Sequence, residues 1–309
     1  MVCLSVQSSQ PPLQPPSRRR SSFKHRKPGP QLSIGIFFAV LGAAFLHASW
    51  NALIKTGTSK QSAMLILSVC QGLIGFGLAL WRGWPVSAAW PWLLGSGVIH
   101  MFYQLFLSYA YELGDLSRVY PIARGTAPMI VLGISWLFLA DVISSPELIG
   151  IVVLGAGILL MAHGVFAGGE QRKMLPFAFG SAVATAGYSI SDGIGARVAG
   201  DPILYVGWLM MVAGLFYAPV AIAIKGRGLL AAPLRAWAKG LFAGALSMGS
   251  YVVAVWAMTK APIAVVAAVR ETSILFAVLI GWWVFAEKMT RSKAIAACII
   301  VGGVVLTRI

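Results

Sequence analysis

Charged side chains are scarce in this sequence. Lys, Arg, Asp and Glu together make up 11% of its 309 residues, whereas 58% of the residues are hydrophobic and the mean hydropathy is +0.81. An average soluble domain carries about 25% charged residues. This much apolar surface does not fit inside one water-soluble core, so the sequence predicts a protein whose solvent is the lipid bilayer.

Cysteines and catalytic motifs are also few. The chain has three cysteines, Cys3, Cys70 and Cys298, and their spacing is not that of metal ligands. Cys70 and Cys298 stand in apolar runs, where a free thiol packs as a small hydrophobic group. The sequence contains no HExxH, CxxC, GxSxG or P-loop motif. We therefore predict a protein that is not an enzyme, with no catalytic residue, no metal and no cofactor.

Acidic residues are outnumbered, with 9 Asp and Glu against 24 Lys and Arg and a net charge of +15. Six of the basic residues lie in the N-terminal tail: Arg18, Arg19, Arg20, Lys24, Arg26 and Lys27. Most of the others stand in short gaps between apolar runs, where membrane proteins use Lys and Arg as topology signals and headgroup contacts. We expect membrane lipid, and not nucleic acid, as the partner of these charges.

Residues 1–33 differ in composition from the remainder of the chain. This segment is rich in Pro, Ser and basic residues and has no apolar run, so we expect it to be disordered. The apolar run that follows is too long for a secretory signal peptide. An over-extended gene start is the alternative interpretation of the tail.

From Ile34 onward, apolar runs of roughly 20 residues recur with short gaps. Such a run crosses the ~30 Å hydrocarbon core as a helix, and helices are required because backbone groups in lipid must bond within their own segment. Ten spans fit the pattern, with nine or eleven as alternatives. The predicted spans are 34–54, 62–81, 90–111, 118–140, 146–167, 175–196, 202–224, 237–258, 262–286 and 291–308. The glycine-containing stretches "GFGLAL", "GAGILL" and "VGGVVL" predict close helix contacts.

One stretch of the chain is repeated. Residues 124–141 read "RGTAPMIVLGISWLFLAD" and residues 270–287 read "RETSILFAVLIGWWVFAE", so that Arg, Thr, Ile, Trp and Ala recur at one offset before a closing acid. An Arg inside a membrane span is costly, which makes its recurrence informative. The offset divides the chain into two five-helix halves, residues 34–168 and 169–309. An odd number of spans in each half predicts opposite orientations, an inverted repeat typical of secondary transporters with a central site.

Three motifs resemble the EamA family of the drug/metabolite transporter superfamily. They are "FLHASWNALIK" (45–55), "VYPIARGTAP" (119–128) and "AVRETSILFAVLIGWWVFAEKMT" (268–290). The resemblance covers residues 34–308. It departs from the family's usual Gly-Glu at the helix ends, where this chain has Ala140-Asp141 and Ala286-Glu287, but both acids are kept.

The resemblance implies an all-α, multi-pass protein of the plasma (bacterial inner) membrane. It further implies ten helices in two inverted repeats, a central cavity, alternating access and both termini in the cytoplasm. It implies no particular substrate. Basic residues in the gaps alone would place the termini outside, but those in the tail nearly balance them. The orientation of the termini and the oligomeric state stay open, with a monomer as one option.

Arg124 and Arg270 are the first candidate binding residues. The planar guanidinium suits a substrate carboxylate or phosphate. The alternatives are a structural ion pair or, for Arg124 near the start of its span, snorkelling to the interface. Glu271 cannot readily pair with its neighbour in the same helix, because adjacent helical residues do not face each other. It could pair with Arg124 and so tie the two halves together.

Other polar and aromatic residues inside the spans complete the predicted site. Asp192, His47 and His100 are candidates for proton coupling; the alternatives are a water-facing helix end for Asp192 and hydrogen-bonded packing for the histidines. We expect a substrate pocket lined by Trp50, Asn51, Tyr103, Gln104 and Tyr188, although Trp and Tyr are also common at membrane interfaces. Pro121 and Pro128 are expected to kink the fourth helix.

The sequence thus predicts a proton-coupled secondary active transporter that moves a small anionic or zwitterionic metabolite, or a drug. The alternative is a carrier or flippase for a lipid-linked substrate, which would need a lateral apolar opening with a basic headgroup site. A membrane enzyme lacks a nucleophile, a metal cluster or paired acids. A scaffolding protein would give no reason for the repeated Arg.

Overall fold

The computed structural model describes residues 32–55, 59–113, 124–139, 141, 143–167, 172–284, 286 and 289–309. Eleven α-helices and no β-strand occur in these ranges. The helices are α1 (Ile34–Lys55), α2 (Lys60–Arg82), α3 (Trp90–Leu113), α4 (Ala127–Phe138), α5 (Ser145–Ala167), α6 (Leu175–Ala199), α7 (Pro202–Lys225), α8 (Leu234–Met258), α9 (Ile263–Arg270), α10 (Ser273–Val284) and α11 (Arg291–Leu306). Of the tail predicted to be disordered, residues 1–31 lie outside the described ranges. For the last two residues the prediction is wrong, because Leu32 is buried and Ser33 Oγ accepts a hydrogen bond from the backbone N–H of Ile36.

The helices follow the predicted spans, and several are long and apolar enough to cross a bilayer. By length and hydropathy these segments are Ile34–Ile54, Lys60–Arg82, Pro202–Lys225, Leu234–Met258 and Ile263–Val284. Ala127–Phe138 and Ser145–Met161 are shorter apolar helices. Large apolar side chains stand on the outside of the bundle, with Trp136 82% and Trp283 85% exposed. The exposed apolar surface agrees with a lipid solvent, as the composition predicts.

The ends of the helices are set by residues in the gaps. Asp201 precedes α7, and its carboxylate accepts hydrogen bonds from the backbone N–H groups of Ile203 and Leu204. Thr290 accepts one from Lys293 at the start of α11. These caps satisfy donors that have no partner within their own helix. Gly200 ends α6 with a φ of 74°, a left-handed conformation that glycine adopts without steric cost.

The contacts between helices stay the same when each helix is replaced by its counterpart in the other half of the chain. α2 packs against α7, and α5 packs against α11. The contact between α3 and α6 has its counterpart in the contact between α8 and α1, and the contact between α3 and α7 has its counterpart between α8 and α2. This pattern is the one that two similar halves related by a two-fold axis produce.

The span predicted as one helix over 262–286 is broken into α9 and α10. Glu271 and Thr272 form the break, where Ile274 N–H donates to the Glu271 carbonyl at 3.0 Å, a tighter turn than in an α-helix. The first half bends at the same repeat position, because Arg124 and Gly125 are helical and Thr126 precedes α4. Both halves therefore interrupt a helix within two residues of the repeated Arg.

Pro128 stands just after the bend at Thr126 that interrupts the fourth predicted span, so a kink occurs at the predicted place. It stands in the first turn of α4, where the missing N–H costs nothing because the backbone there has no intrahelical acceptor. The other residue expected to produce a kink, Pro121, lies outside the described residues.

The predicted close contacts between glycine-bearing helices are confirmed. A Cβ atom on Gly75 of α2 would lie 2.6 Å from the carbonyl oxygen of Gly207 on α7. A Cβ on Gly157 of α5 would lie 2.8 Å from Ile300 Cγ1, and one on Gly303 of α11 would lie 2.5 Å from the backbone nitrogen of Leu154. These glycines let backbones touch where any side chain would separate the helices.

We expect Gly303→Ala to lower the melting temperature of the purified protein in detergent. The added methyl group would meet backbone atoms of α5, which cannot rotate away. Gly302→Ala is the matched control, because a Cβ there meets nothing within 4 Å and alanine favours a helix over glycine by about 1 kcal/mol. Equal melting temperatures for the two variants would contradict the close contact.

Candidate functional site

A small cavity lies in the middle of the bundle, between helices of both halves. It holds about 50 Å³ of water-accessible space, far below the roughly 300–1,000 Å³ of typical ligand pockets. Its walls are His47, Trp50, Met64, Leu67, Gln71, His100, Tyr103, Gln104, Tyr188, Met210, Ser247, Tyr251 and Arg270. Aromatic rings and a few polar groups thus surround a space that is small in this conformation.

The cavity gathers residues that the sequence marked as candidates. Trp50, Tyr103, Gln104, Tyr188 and Arg270 were predicted as pocket residues, and all five form part of its wall. The burial of Trp50 and Tyr188 argues against the interfacial alternative for these two residues, whereas Tyr103 is half-buried.

Asn51 is not among the residues of the cavity wall. Its side-chain Nδ2 donates to the His47 backbone carbonyl at 2.8 Å, within α1. The Asn51 side chain therefore bonds to the backbone of its own helix.

Arg270 brings a positive charge into this cavity. It ends the short helix α9, and its side chain is 1% exposed. The guanidinium carbon lies 5.9 Å from the ring centroid of Tyr188 and 5.7 Å from that of Tyr251. Its Nε and Nη2 have no hydrogen-bond partner among the described residues, and no ion pair forms with a described carboxylate. A buried charge in this state is costly unless an anion joins it.

Arg124 is paired instead with Glu271 of the other half. Its Nε donates to Glu271 Oε2 at 2.9 Å, and Nη2 lies 2.9 Å from Oε1, a two-point contact between side chains that are each 1% exposed. Arg124 Nη1 also lies 3.5 Å from the Tyr188 hydroxyl. The predicted cross-pair is confirmed, and the snorkelling alternative is wrong because the guanidinium is buried. A role of either residue in binding substrate stays a prediction.

Asp192 is fully buried in α6, so the alternative of a water-facing carboxylate is wrong. Three side chains hold it. His100 Nε2 lies 3.1 Å from Oδ2, the Tyr205 hydroxyl donates to Oδ1 at 3.1 Å, and the Tyr251 hydroxyl donates to Oδ2. The His100 ring also stacks on Tyr188, with centroids 4.2 Å apart. Asp192 is thereby linked to two residues of the cavity wall that also contact Arg270.

His47 lines the other side of the cavity. Its Nδ1 accepts a hydrogen bond from Trp50 Nε1 at 3.3 Å, so this nitrogen carries no proton in that arrangement. The proton-coupling role predicted for His47 stays a prediction.

Several residues of the site escaped the sequence analysis. Gln71 Nε2 donates to Ser247 Oγ at 2.8 Å across the cavity, and Tyr205 and Tyr251 complete the shell of Asp192. Their signal was a polar group inside an apolar helix, the same signal that marked His100. Met64, Leu67 and Met210 carry no such signal, because apolar cavity residues look like any others in these helices.

The repeated acid at the helix end has a structural place in the first half. The Asp141 carboxylate accepts hydrogen bonds from Arg197 Nη1 at 2.9 Å and from the backbone N–H of Ile263 at 3.0 Å. Arg197 also donates to the carbonyls of Met258 and Ala261. The cluster joins the ends of α6 and α8 to the start of α9. Glu287, the counterpart of Asp141, lies outside the described residues.

We expect Arg124→Gln and Glu271→Gln each to lower the free energy of unfolding in mixed micelles by about 3–5 kcal/mol, because either change leaves a buried charge without its partner. The double variant Arg124→Gln/Glu271→Gln should lose less than either single variant. Arg82→Gln, at the partly exposed pair with Asp201, is the control and should cost ~0–1 kcal/mol. Losses that simply add in the double variant would show that the two residues are not coupled.

Comparison with known proteins adds to this geometry. A model of the EamA-like transporter family matches the chain twice, over residues 23–162 and 172–309. No curated protein matches the sequence. One solved crystal structure is similar to this chain with a TM-score of 0.69 and 18% sequence identity, over 88% of this chain and 96% of the other. At that identity the likeness shows a shared fold alone.

Proposed function

Because the chain belongs to the EamA-like transporter family, we propose that it is a proton-coupled secondary transporter of a small anionic or zwitterionic solute in the plasma (bacterial inner) membrane. The observation that carries this proposal is Arg270, a buried guanidinium in the central cavity with no ion-pair partner among the described residues. An anion at that place would supply the missing charge and accept hydrogen bonds from the guanidinium.

Two features support alternating access. Equivalent helices of the two halves make equivalent contacts. Both halves also interrupt a helix beside the repeated Arg, and discontinuous helices of this kind form the sites of many transporters. Since each half has five spans, we propose that the halves are inverted in the membrane. The cavity has too little space for a metabolite, so this conformation would be a closed one, and movement of the halves would open it.

Proton coupling would act through Asp192. Tyr251 donates to Asp192 and lies against Arg270, and His100 connects Asp192 with the Tyr188 ring that also faces Arg270. A proton gained by the Asp192–His100 pair would add positive charge a few side chains from the anion site. In a low-dielectric interior this charge would favour a bound anion, so proton and anion would be taken up together.

We expect Arg270→Gln to abolish accumulation of an anionic substrate in proteoliposomes while the protein stays folded. Arg270 has no described ion-pair partner to lose, so the neutral amide should leave the melting temperature unchanged or higher. Arg124→Gln, by contrast, should lower the melting temperature. The measurement pairs substrate flux with the melting temperature of the same preparation.

The control for this test is the double variant Arg235→Ala/Lys239→Ala, which removes two exposed basic residues at the start of α8. It should keep solute flux at the level of the unaltered protein. Undiminished flux in Arg270→Gln would remove Arg270 from the site and, with it, the observation that carries the proposal.

We expect Asp192→Asn to uncouple transport from the proton gradient. Asparagine keeps the size of the side chain and can still accept from one of the two tyrosines, while its NH2 group can donate to the hydroxyl oxygen of the other, but it cannot gain or lose a proton. Exchange of labelled for unlabelled substrate should therefore continue, whereas accumulation driven by an imposed pH gradient should disappear. Gradient-driven accumulation at the original level would exclude Asp192 from coupling.

A second candidate function is a carrier for a lipid-linked substrate. A groove of about 350 Å³ runs between the end of α1, the start of α2 and the start of α8. Apolar side chains such as Leu53, Ile54 and Ile66 line it, together with Arg235 and Lys239. Apolar walls beside basic groups suit an acyl chain and an anionic headgroup. If this candidate is right, the unaltered protein translocates lipid in vesicles and the Arg235→Ala/Lys239→Ala variant does not.

A further inference from the structure

We infer that the substrate is a carboxylate monoanion that carries a hydroxyl group and no ammonium group, a hydroxy acid rather than an amino acid. This inference rests on the proposed function and narrows it. It follows from which charges around the cavity are free and which are already paired.

The carboxylates nearest the cavity are both occupied. Glu271 is held by the two-point contact with Arg124, and Asp192 is held by His100, Tyr205 and Tyr251. Neither is a residue of the cavity wall. A buried ammonium group needs a carboxylate to offset its lost hydration, and neither of these two is free to provide it.

The remaining acids of the described chain serve at helix ends. Glu112 pairs with Lys225, Asp141 with Arg197, and Asp201 with Arg82. Glu147 accepts from the backbone N–H of Ser144. Asp115, Glu170 and Glu287 lie outside the described residues. None of the described helix-end acids belongs to the cavity wall.

The two aromatic rings beside Arg270 do not replace the missing acid. Rings bind cations through their faces, but those of Tyr188 and Tyr251 already lie within 6 Å of the Arg270 guanidinium. An ammonium group placed beside them would be repelled by Arg270 across a small, low-dielectric space. The cavity is therefore arranged for negative charge.

A neutral hydrogen-bond acceptor faces the same space. Gln104 lines the cavity, and its buried Oε1 has no hydrogen-bond partner among the described residues. With Arg270 the wall thus offers donors with a positive charge and an uncharged amide. A carboxylate would satisfy the first and a hydroxyl group the second, whereas an ammonium group would find only uncharged acceptors and no carboxylate on the wall.

The test compares acids that share one carbon skeleton and differ at one substituent. Lactate, alanine and propionate form one set, and 3-phenyllactate, phenylalanine and 3-phenylpropionate form another. Binding to the purified protein is measured by the shift in melting temperature over a concentration series, and exchange is measured in proteoliposomes. In at least one set we expect the hydroxy acid to bind at least ten-fold more tightly than the amino acid, and more tightly than the unsubstituted acid.

Two variants test which side chain recognises the carboxylate and which recognises the hydroxyl group. Arg270→Gln should lose binding of the hydroxy acid and of the unsubstituted acid alike. Gln104→Leu should keep the unsubstituted acid and lose the preference for the hydroxyl group.

The outcomes separate this inference from the proposed function. An amino acid that binds as tightly as its hydroxy acid, with binding that depends on Arg270, would overturn the inference and leave an anion-dependent transporter. If none of the six acids binds or exchanges, both the inference and the proposed anion site fail.

Discussion

The centre of this molecule depends on the ion pair between Arg124 and Glu271. A charge inside a bilayer protein must meet an opposite charge or a polar shell, since hydrocarbon cannot hydrate it. This pair joins one half of the chain to the other with both side chains buried. Glu271 is the C-cap of α9, so the pair lies at the break between α9 and α10. The small cavity lies beside it.

The pair also makes two similar halves different. At the repeat offset, Glu271 of the second half corresponds to Gly125 of the first, where an added Cβ would lie 2.4 Å from Ile158 Cγ2. The two repeated Arg residues thus have one acid, Glu271, to share. Arg124 takes that acid, and Arg270 is left facing the cavity among aromatic rings. The difference between the halves leaves the Arg270 guanidinium without an ion-pair partner among the described residues.

Much of the architecture could be predicted because the bilayer restricts the choices. Apolar runs near 20 residues must be helices, and the repeat of Arg, Thr and acid at one offset marks two halves. Local geometry also made the pairing of Glu271 with Arg124 one option, since neighbours on a helix do not face each other. The break within the ninth span was missed, because hydropathy averages over a turn and Glu271–Thr272 alter it little.

The sequence by itself determined the class of the protein, the approximate helix boundaries, the repeat and most of the polar residues that line the cavity. Only the tertiary structure decided which Arg is paired, that Asp192 is buried among His100, Tyr205 and Tyr251, and that Gln71 and Ser247 meet across the cavity. The reason is physical. Hydropathy and periodicity act along one helix, whereas the state of a buried charge depends on side chains that other helices bring to it.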